Sequence, residues 1–141
     1  MKKLVFVFFA CIVFFIGCKD TKKNSANGSG TERAQYRKIS ATEAHSMMSE
    51  LTEYILLDVR TFDEYNAERI DGAILIPDNE IMKRAEKELP DKNITIFVYC
   101  RSGRRSKNAS LQLADFGYLN VFDFGGITDW HYGTVRGSPY N

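Results

Sequence analysis

From Tyr36 onward, short apolar runs alternate with amphipathic ones, and that alternation narrows the fold class before any single residue is considered. The apolar runs are "YILLD", "GAILIP", "NITIFVYC" and "YLNVFDF", with a shorter "YRKIS" ahead of them. Each is short enough for a strand, and those in the middle lack the polar alternation of a half-exposed one. Between them lie "ATEAHSMMSE", "TFDEYNAER", "DNEIMKRAEKEL" and "SKNASLQLADFG", whose apolar residues recur at helical spacing. Strand, helix, strand in regular succession predicts an α/β domain with a mainly parallel sheet flanked by helices on both faces. "NITIFVYC" is the longest unbroken apolar run, which places it at the centre of that sheet.

Local signals agree with this reading. Ser40 and Glu43, and again Thr61 and Glu64, have the spacing of a capping box at a helix start. Asp78 is the expected N-cap of the third helix, which Pro90 ends. Ser106 stands near the start of the fourth, and Gly117 suits the position after its end. "GGITDW" reads as a turn into a short helix, followed by the tail "HYGTVRGSPYN".

The segment ahead of Tyr36 has a different character. "MKK" is a short basic start, and no charge follows from Leu4 to Gly17. That run is shorter than the roughly 20 residues a membrane span needs. It fits the basic and apolar regions of a secretory signal. It ends in "FIGC", which resembles the lipobox of bacterial lipoproteins, although Phe15 stands where an aliphatic residue is usual. The expected organisation is a lipoprotein signal peptide over 1–17, a lipidated Cys18 with a flexible tether over 18–35, and one folded domain over 36–141. The tether is rich in Ser, Gly, Asn and Lys, with little to bury. This arrangement predicts a domain outside the cytoplasm, lipid-anchored to a membrane of a bacterial cell envelope. Net charge is +1, with acids and bases interspersed, so nothing points to a nucleic-acid surface. The expected domain is a monomer.

If Cys11 leaves with the signal and Cys18 is acylated, Cys100 is the one thiol remaining. A lone cysteine is often only a small buried hydrophobe. Its position argues otherwise. Cys100 ends the strand placed at the sheet centre, Asp58 ends another, and sites in such sheets form at the carboxyl ends of strands.

Directly behind Cys100 comes "RSGRRS". A tight loop between strand and helix turns successive backbone N–H groups inward as an anion-binding nest. The helix that follows contributes its positive end. Gly103 permits a backbone turn that a Cβ would oppose, and Arg101, Arg104 and Arg105 add charge. All of these favour thiolate over thiol, in settings that lower a cysteine pKa from about 8.5 to roughly 3.5–7.5. Ser102 and Gly103 would act through their N–H groups. Arg105, which closes the loop, is the first choice for anion steering.

Two chemistries use such a bowl. Phosphoryl transfer needs room for a phosphate, whereas sulfur transfer needs room for one added sulfur atom. Cysteine phosphatases close their loop with arginine after five intervening residues. Here Arg105 follows Cys100 after four, and the next position is Ser106. The shorter loop favours sulfur over a phosphatase or an arsenate reductase-like enzyme.

"CRSGRRS" resembles the active-site loop of the rhodanese family. "LLDVRTFDEYNAERIDGAILIP" is similar to that family's upstream segment, and "VFDFGGITDW" to its closing Gly-Gly and Trp segment. The resemblance spans about residues 36 to 132. It implies a rhodanese fold and sulfurtransferase chemistry, with Cys100 as the catalytic nucleophile and Arg101, Ser102, Gly103, Arg104 and Arg105 as the substrate-binding loop. The implied partners are a small anionic donor such as thiosulfate and a thiol or cyanide acceptor, with a persulfide on Cys100 between two half-reactions and no metal or organic cofactor. Asp58 and Arg60 are expected to pair as structural support. A low-turnover sulfur carrier, or a binding or sensing module on the same fold, is the alternative. Arg69 departs from the family, which often has histidine there. His45 and His131 offer no case as catalytic bases, Trp130 reads as core, and Tyr65, Phe124 and Tyr132 are candidates to line the approach to the loop.

Overall fold

The computed structural model describes residues 35–137. The expectations for the signal segment, Cys18 and most of the tether lie outside the described residues. Within them the chain runs β1 (Tyr36–Lys38), α1 (Ala41–Glu50), β2 (Ile55–Asp58), α2 (Phe62–Ala67), β3 (Ile74–Leu75), α3 (Ile81–Glu88), β4 (Thr95–Cys100), α4 (Arg104–Asp115) and β5 (Asn120–Gly126), then a 3-10 turn over Ile127–Asp129. None of these helices is long and apolar enough to cross a membrane.

The five strands form one sheet in the order β1-β5-β4-β2-β3, and every neighbouring pair is parallel. β4 is central, as its unbroken apolar sequence predicts. Its residues alternate between two cores. Ile96, Val98 and Cys100 pack with Ile81, Ala85, Ala109 and Leu113 of α3 and α4. Phe97 and Tyr99 face the other way, toward Ala41 and Ala44 of α1, Tyr65 of α2, and Phe124 and Trp130. Helices therefore cover both faces, which is why β4 carries no polar side chain from Ile96 to Val98.

The connection from β2 leads outward to β3, whereas that from β4 leads to β5 on the opposite side. The carboxyl ends of β2 and β4 thus flank the topological switch point, where open α/β sheets form their crevice. Asp58 and Cys100 end these two strands.

Both expected capping boxes are formed, at Ser40 with Glu43 and at Thr61 with Glu64. Two helix starts differ from expectation. α3 is preceded by Glu80, without a side-chain cap, rather than by Asp78. The Asp78 N–H is bonded to the Val59 carbonyl at 3.1 Å, and a turn from Pro77 to Glu80 intervenes. α4 begins at Arg104, ahead of Ser106, because Gly103 adopts a left-handed φ of 98° and its carbonyl accepts the Lys107 N–H.

The tail folds back on the domain. Arg69 and Val135 form an antiparallel bridge, and the Gly137 N–H donates to Asn66. The Arg69 side chain reaches the Gly137 carbonyl and lies 4.9 Å from the Tyr65 ring centroid. The residue that departs from the family pattern is therefore the one that pins the tail.

Candidate active site

Cys100 is 1% exposed at the end of β4, with its side chain in the α3/α4 core. The chain then reverses over Arg101, Ser102 and Gly103 into the first turn of α4. That reversal aims backbone donors at the sulfur, and the Gly103 N–H lies 3.1 Å from Sγ. Burial pushes the thiol pKa up. The Ser106 N–H and hydroxyl, then the Gly103 and Ser102 N–H groups, outweigh it, so the net shift is downward. The amides are the firmer part of this cradle. Ser106 Oγ has one proton, and it also reaches the carbonyls of Gly103 and Gly125 at 3.1 and 3.2 Å.

The first turn of α4 carries Arg104 and Arg105 and no acid. Cations at a helix N-terminus oppose the helix dipole. The arrangement fits an element selected to hold an anion, at some cost to its own stability. Arg101 and Arg104 are exposed and form no salt bridge among the described residues. Arg105 is engaged differently. Its two terminal nitrogens donate to the two carboxylate oxygens of Glu64, each at 2.7 Å. The hydrogen bonds to Arg105 lead the causes that bring Glu64 down to about 2 against its burial.

The loop rests on β5. An extra residue, Phe124, shifts the β4–β5 register, so that Val98 pairs with Asp123 but Tyr99 with Gly125. Buried Asp123 accepts the Gly125 N–H at 2.9 Å and faces Lys38 at 3.3 Å. Gly126 lies against the Arg101 backbone, and Thr128 Oγ1 donates to the Arg101 carbonyl at 3.2 Å.

Asp58 and Arg60 form the expected pair, 0% and 4% exposed. Asp58 accepts from the Arg60 backbone N–H and from its guanidinium, the shortest contact being 2.6 Å. Arg60 also donates to the Glu68 carbonyl. The pair therefore fixes both ends of the segment that carries α2, and with it Glu64. Burial, reinforced by the Asp58 charge, holds the neighbouring Tyr99 phenol well above its ordinary pKa.

The structure sets Cys100 and the 101–105 loop at the switch point, and pairs Asp58 with Arg60 at the end of the adjacent strand β2. The three aromatics offered for the approach are elsewhere. Tyr65 and Phe124 are buried in the core on the opposite face of the sheet from Cys100, because residues on that face alternate with those facing α4. Tyr132 stacks on His45 at 3.7 Å. Trp130 is core, as expected. Sequence reasoning missed two residues that touch the site. Glu64 was visible only as a capping residue, and Ser106 only as a helix-start signal.

Cys100, the one cysteine among the described residues, lies buried in a loop of inward-facing amides closed by arginine, at the switch point of a parallel five-stranded sheet, which defines a cysteine-loop α/β domain. The profile of the rhodanese-like domain matches residues 40–132, and the chain belongs to this family. It is 41% identical over 81 residues to thiosulfate sulfurtransferase PspE of Escherichia coli (strain K12), covering 57% of this chain and 78% of that protein. It is 29% identical over 96 residues to thiosulfate sulfurtransferase GlpE of Coxiella burnetii (strain RSA 331 / Henzerling II), covering 67% and 87%. Among solved structures, a rhodanese with anions from E. coli superposes with a TM-score of 0.57 at 39% identity, covering 60% of this chain and all of that one. These relatives support a sulfurtransferase role for the chain.

Proposed function

We propose that this protein moves sulfane sulfur from a small anionic donor, such as thiosulfate, to a thiophilic acceptor through a persulfide on Cys100. The observation that carries this reading is the Cys100 thiol itself, buried yet lowered in pKa by converging loop donors. The thiolate attacks the outer sulfur of thiosulfate. A bond forms from Sγ to that sulfur, the donor S–S bond breaks, and sulfite leaves with the electron pair. The terminal sulfur of the persulfide is anionic, and the loop N–H groups are oriented to hold it as an oxyanion hole would. An acceptor thiolate or cyanide then attacks that sulfur, and Cys100 returns as thiolate. No second cysteine stands in the described residues to resolve the persulfide, so the acceptor comes from outside this fold. That an E. coli relative was solved with anions is in keeping with an anion-binding loop.

We also propose that the domain works at a bacterial membrane, tethered through lipid on Cys18. The basic start, uncharged run and "FIGC" support this.

The test is the intact mass of the protein after incubation with thiosulfate, beside Cys100→Ser. The expected result is a species one sulfur atom heavier in the wild type alone, lost on adding cyanide as thiocyanate appears. No mass change with thiosulfate or other sulfane donors would overturn the proposal.

A further inference from the structure

The loop carries three arginines, but they do not present three free charges. Both Arg105 terminal nitrogens are committed to Glu64 in a two-pronged contact. Glu64 cannot easily swing away. Its Oε2 also accepts the Thr61 N–H at 3.0 Å and the Thr61 hydroxyl at 3.1 Å, so the first turn of α2 fixes its direction. The pair is partly buried, 19% and 28% exposed at the side chains, so salt screens it less than a surface pair. Arg105 interacts electrostatically with Cys100 and with Asp78 as well as with Glu64. Its charge therefore bears on the reacting sulfur, and acids oppose it there.

We propose that Glu64 is a specificity-determining residue. By neutralising Arg105 beside Cys100, it weakens the site for dianionic donors such as thiosulfate relative to monoanionic sulfane donors such as persulfides and thiosulfonates. This rests on the sulfur-transfer reading above. The physical reason is proportionality: a given change in local potential changes the binding free energy of a dianion twice as much as that of a monoanion. Both donor types load the same persulfide. Thiosulfate releases sulfite and a thiosulfonate releases a sulfinate, each departing with the electron pair of the broken S–S bond.

The experiment compares thiosulfate with benzenethiosulfonate in steady-state assays of the wild type, Glu64→Gln and Thr61→Ala. Glutamine at this position preserves the capping box, so Glu64→Gln removes charge while retaining the helix start. Thr61→Ala removes the hydroxyl from the cap, while the backbone N–H at position 61 and both Arg105 nitrogens still hold the Glu64 carboxylate in place. The expected result is a fall in KM for thiosulfate of roughly three- to tenfold in Glu64→Gln, with kcat little changed. The change for benzenethiosulfonate should be about the square root of that factor, and the difference between donors should shrink at high salt. Any change in thiolate fraction affects both donors alike and cancels in the ratio.

An unchanged donor ratio in Glu64→Gln overturns the inference, as does the same ratio change in Thr61→Ala. If the wild type takes sulfur from neither donor, the sulfurtransferase reading falls and this inference with it. If it takes sulfur from both and the ratio does not move, only the role of Glu64 is lost.

Discussion

Gly126 and Arg101 meet so closely that a Cβ on the glycine would stand 2.4 Å from the Arg101 carbonyl oxygen. The same Cβ would stand 2.9 Å from the Ser102 Cα and from Thr128 Oγ1. The loop after Cys100 is thus laid on bare backbone at the end of β5. Gly126→Ala forces the loop to move, because the obstructing atoms are mostly main chain. Misplacement of a catalytic group by about 1 Å can cost roughly a hundredfold, so the variant should lose tenfold or more in sulfur-loading rate. Its thermal midpoint should fall far less than its activity. Parallel melting and persulfide-loading assays check this. Wild-type loading in Gly126→Ala would show that the loop does not depend on this contact.

The thiol of Cys100 is held below its ordinary pKa by donors, not by exposure, and Ser106 supplies both an N–H and a hydroxyl. Ser106→Ala removes the hydroxyl alone. The thiolate is then less stabilised, so the pKa rises and thiolate is lost at the low-pH end of its range. The midpoint of iodoacetamide alkylation against pH should sit below that of free cysteine in the wild type. It should rise in Ser106→Ala and by less than the full wild-type depression, because the Ser106, Gly103 and Ser102 amides remain. A wild-type midpoint at or above about 8.5 would mean that burial wins over the donors.

Asp58 and Arg60 are sealed from solvent within the β2–α2 corner. Breaking such a pair leaves one charge buried without its partner, at a cost of about 3–5 kcal/mol. Asp58→Ala should therefore lower stability to chemical denaturation by that order. Arg60 also holds the Glu68 carbonyl, so loss of Asp58 should loosen both ends of α2. Increased amide exchange over Phe62–Ala67 is the local signature to measure. Protection unchanged in α2 would confine the pair to β2.

The fold and the place of Cys100 at the crevice were legible in the sequence for a shared reason. A strand buried on both faces must be apolar throughout, so "ITIFVYC" marks the sheet centre and its end marks the crevice. Glycine and arginine spacing then identifies the loop after Cys100. Glu64 was less legible because its sequence signal, three residues after Thr61, is fully explained by capping. Its second role depends on Arg105, 41 positions away, and a long-range ion pair leaves no local pattern. The Asp123–Gly125 bulge is likewise unmarked, since Phe122, Asp123 and Phe124 alternate apolar and polar as an unbulged strand would. α4 takes in Arg104 and Arg105, which read as loop, because the left-handed turn at Gly103 serves as its N-cap.

Glu64 also gives the protein a defined acid sensitivity. Its folded pKa is about 2, set chiefly by the hydrogen bonds to Arg105 against burial, and below the ordinary value of 4.5. A depressed carboxylate binds protons more readily in the unfolded chain than in the folded one. Its contribution to stability is thus complete above about pH 5 and is lost as pH falls from there toward 2. Allowing for solvent screening of a pair at the surface of the crevice, the contribution is about 1–2 kcal/mol. Urea unfolding at a series of pH values should show wild-type stability falling through this window. Glu64→Gln, with nothing to protonate at this position, should give a shallower slope there and converge on the wild type near pH 2. Parallel slopes for the two proteins would mean that the Glu64–Arg105 contact adds no net stability, whatever its effect on the charge beside Cys100.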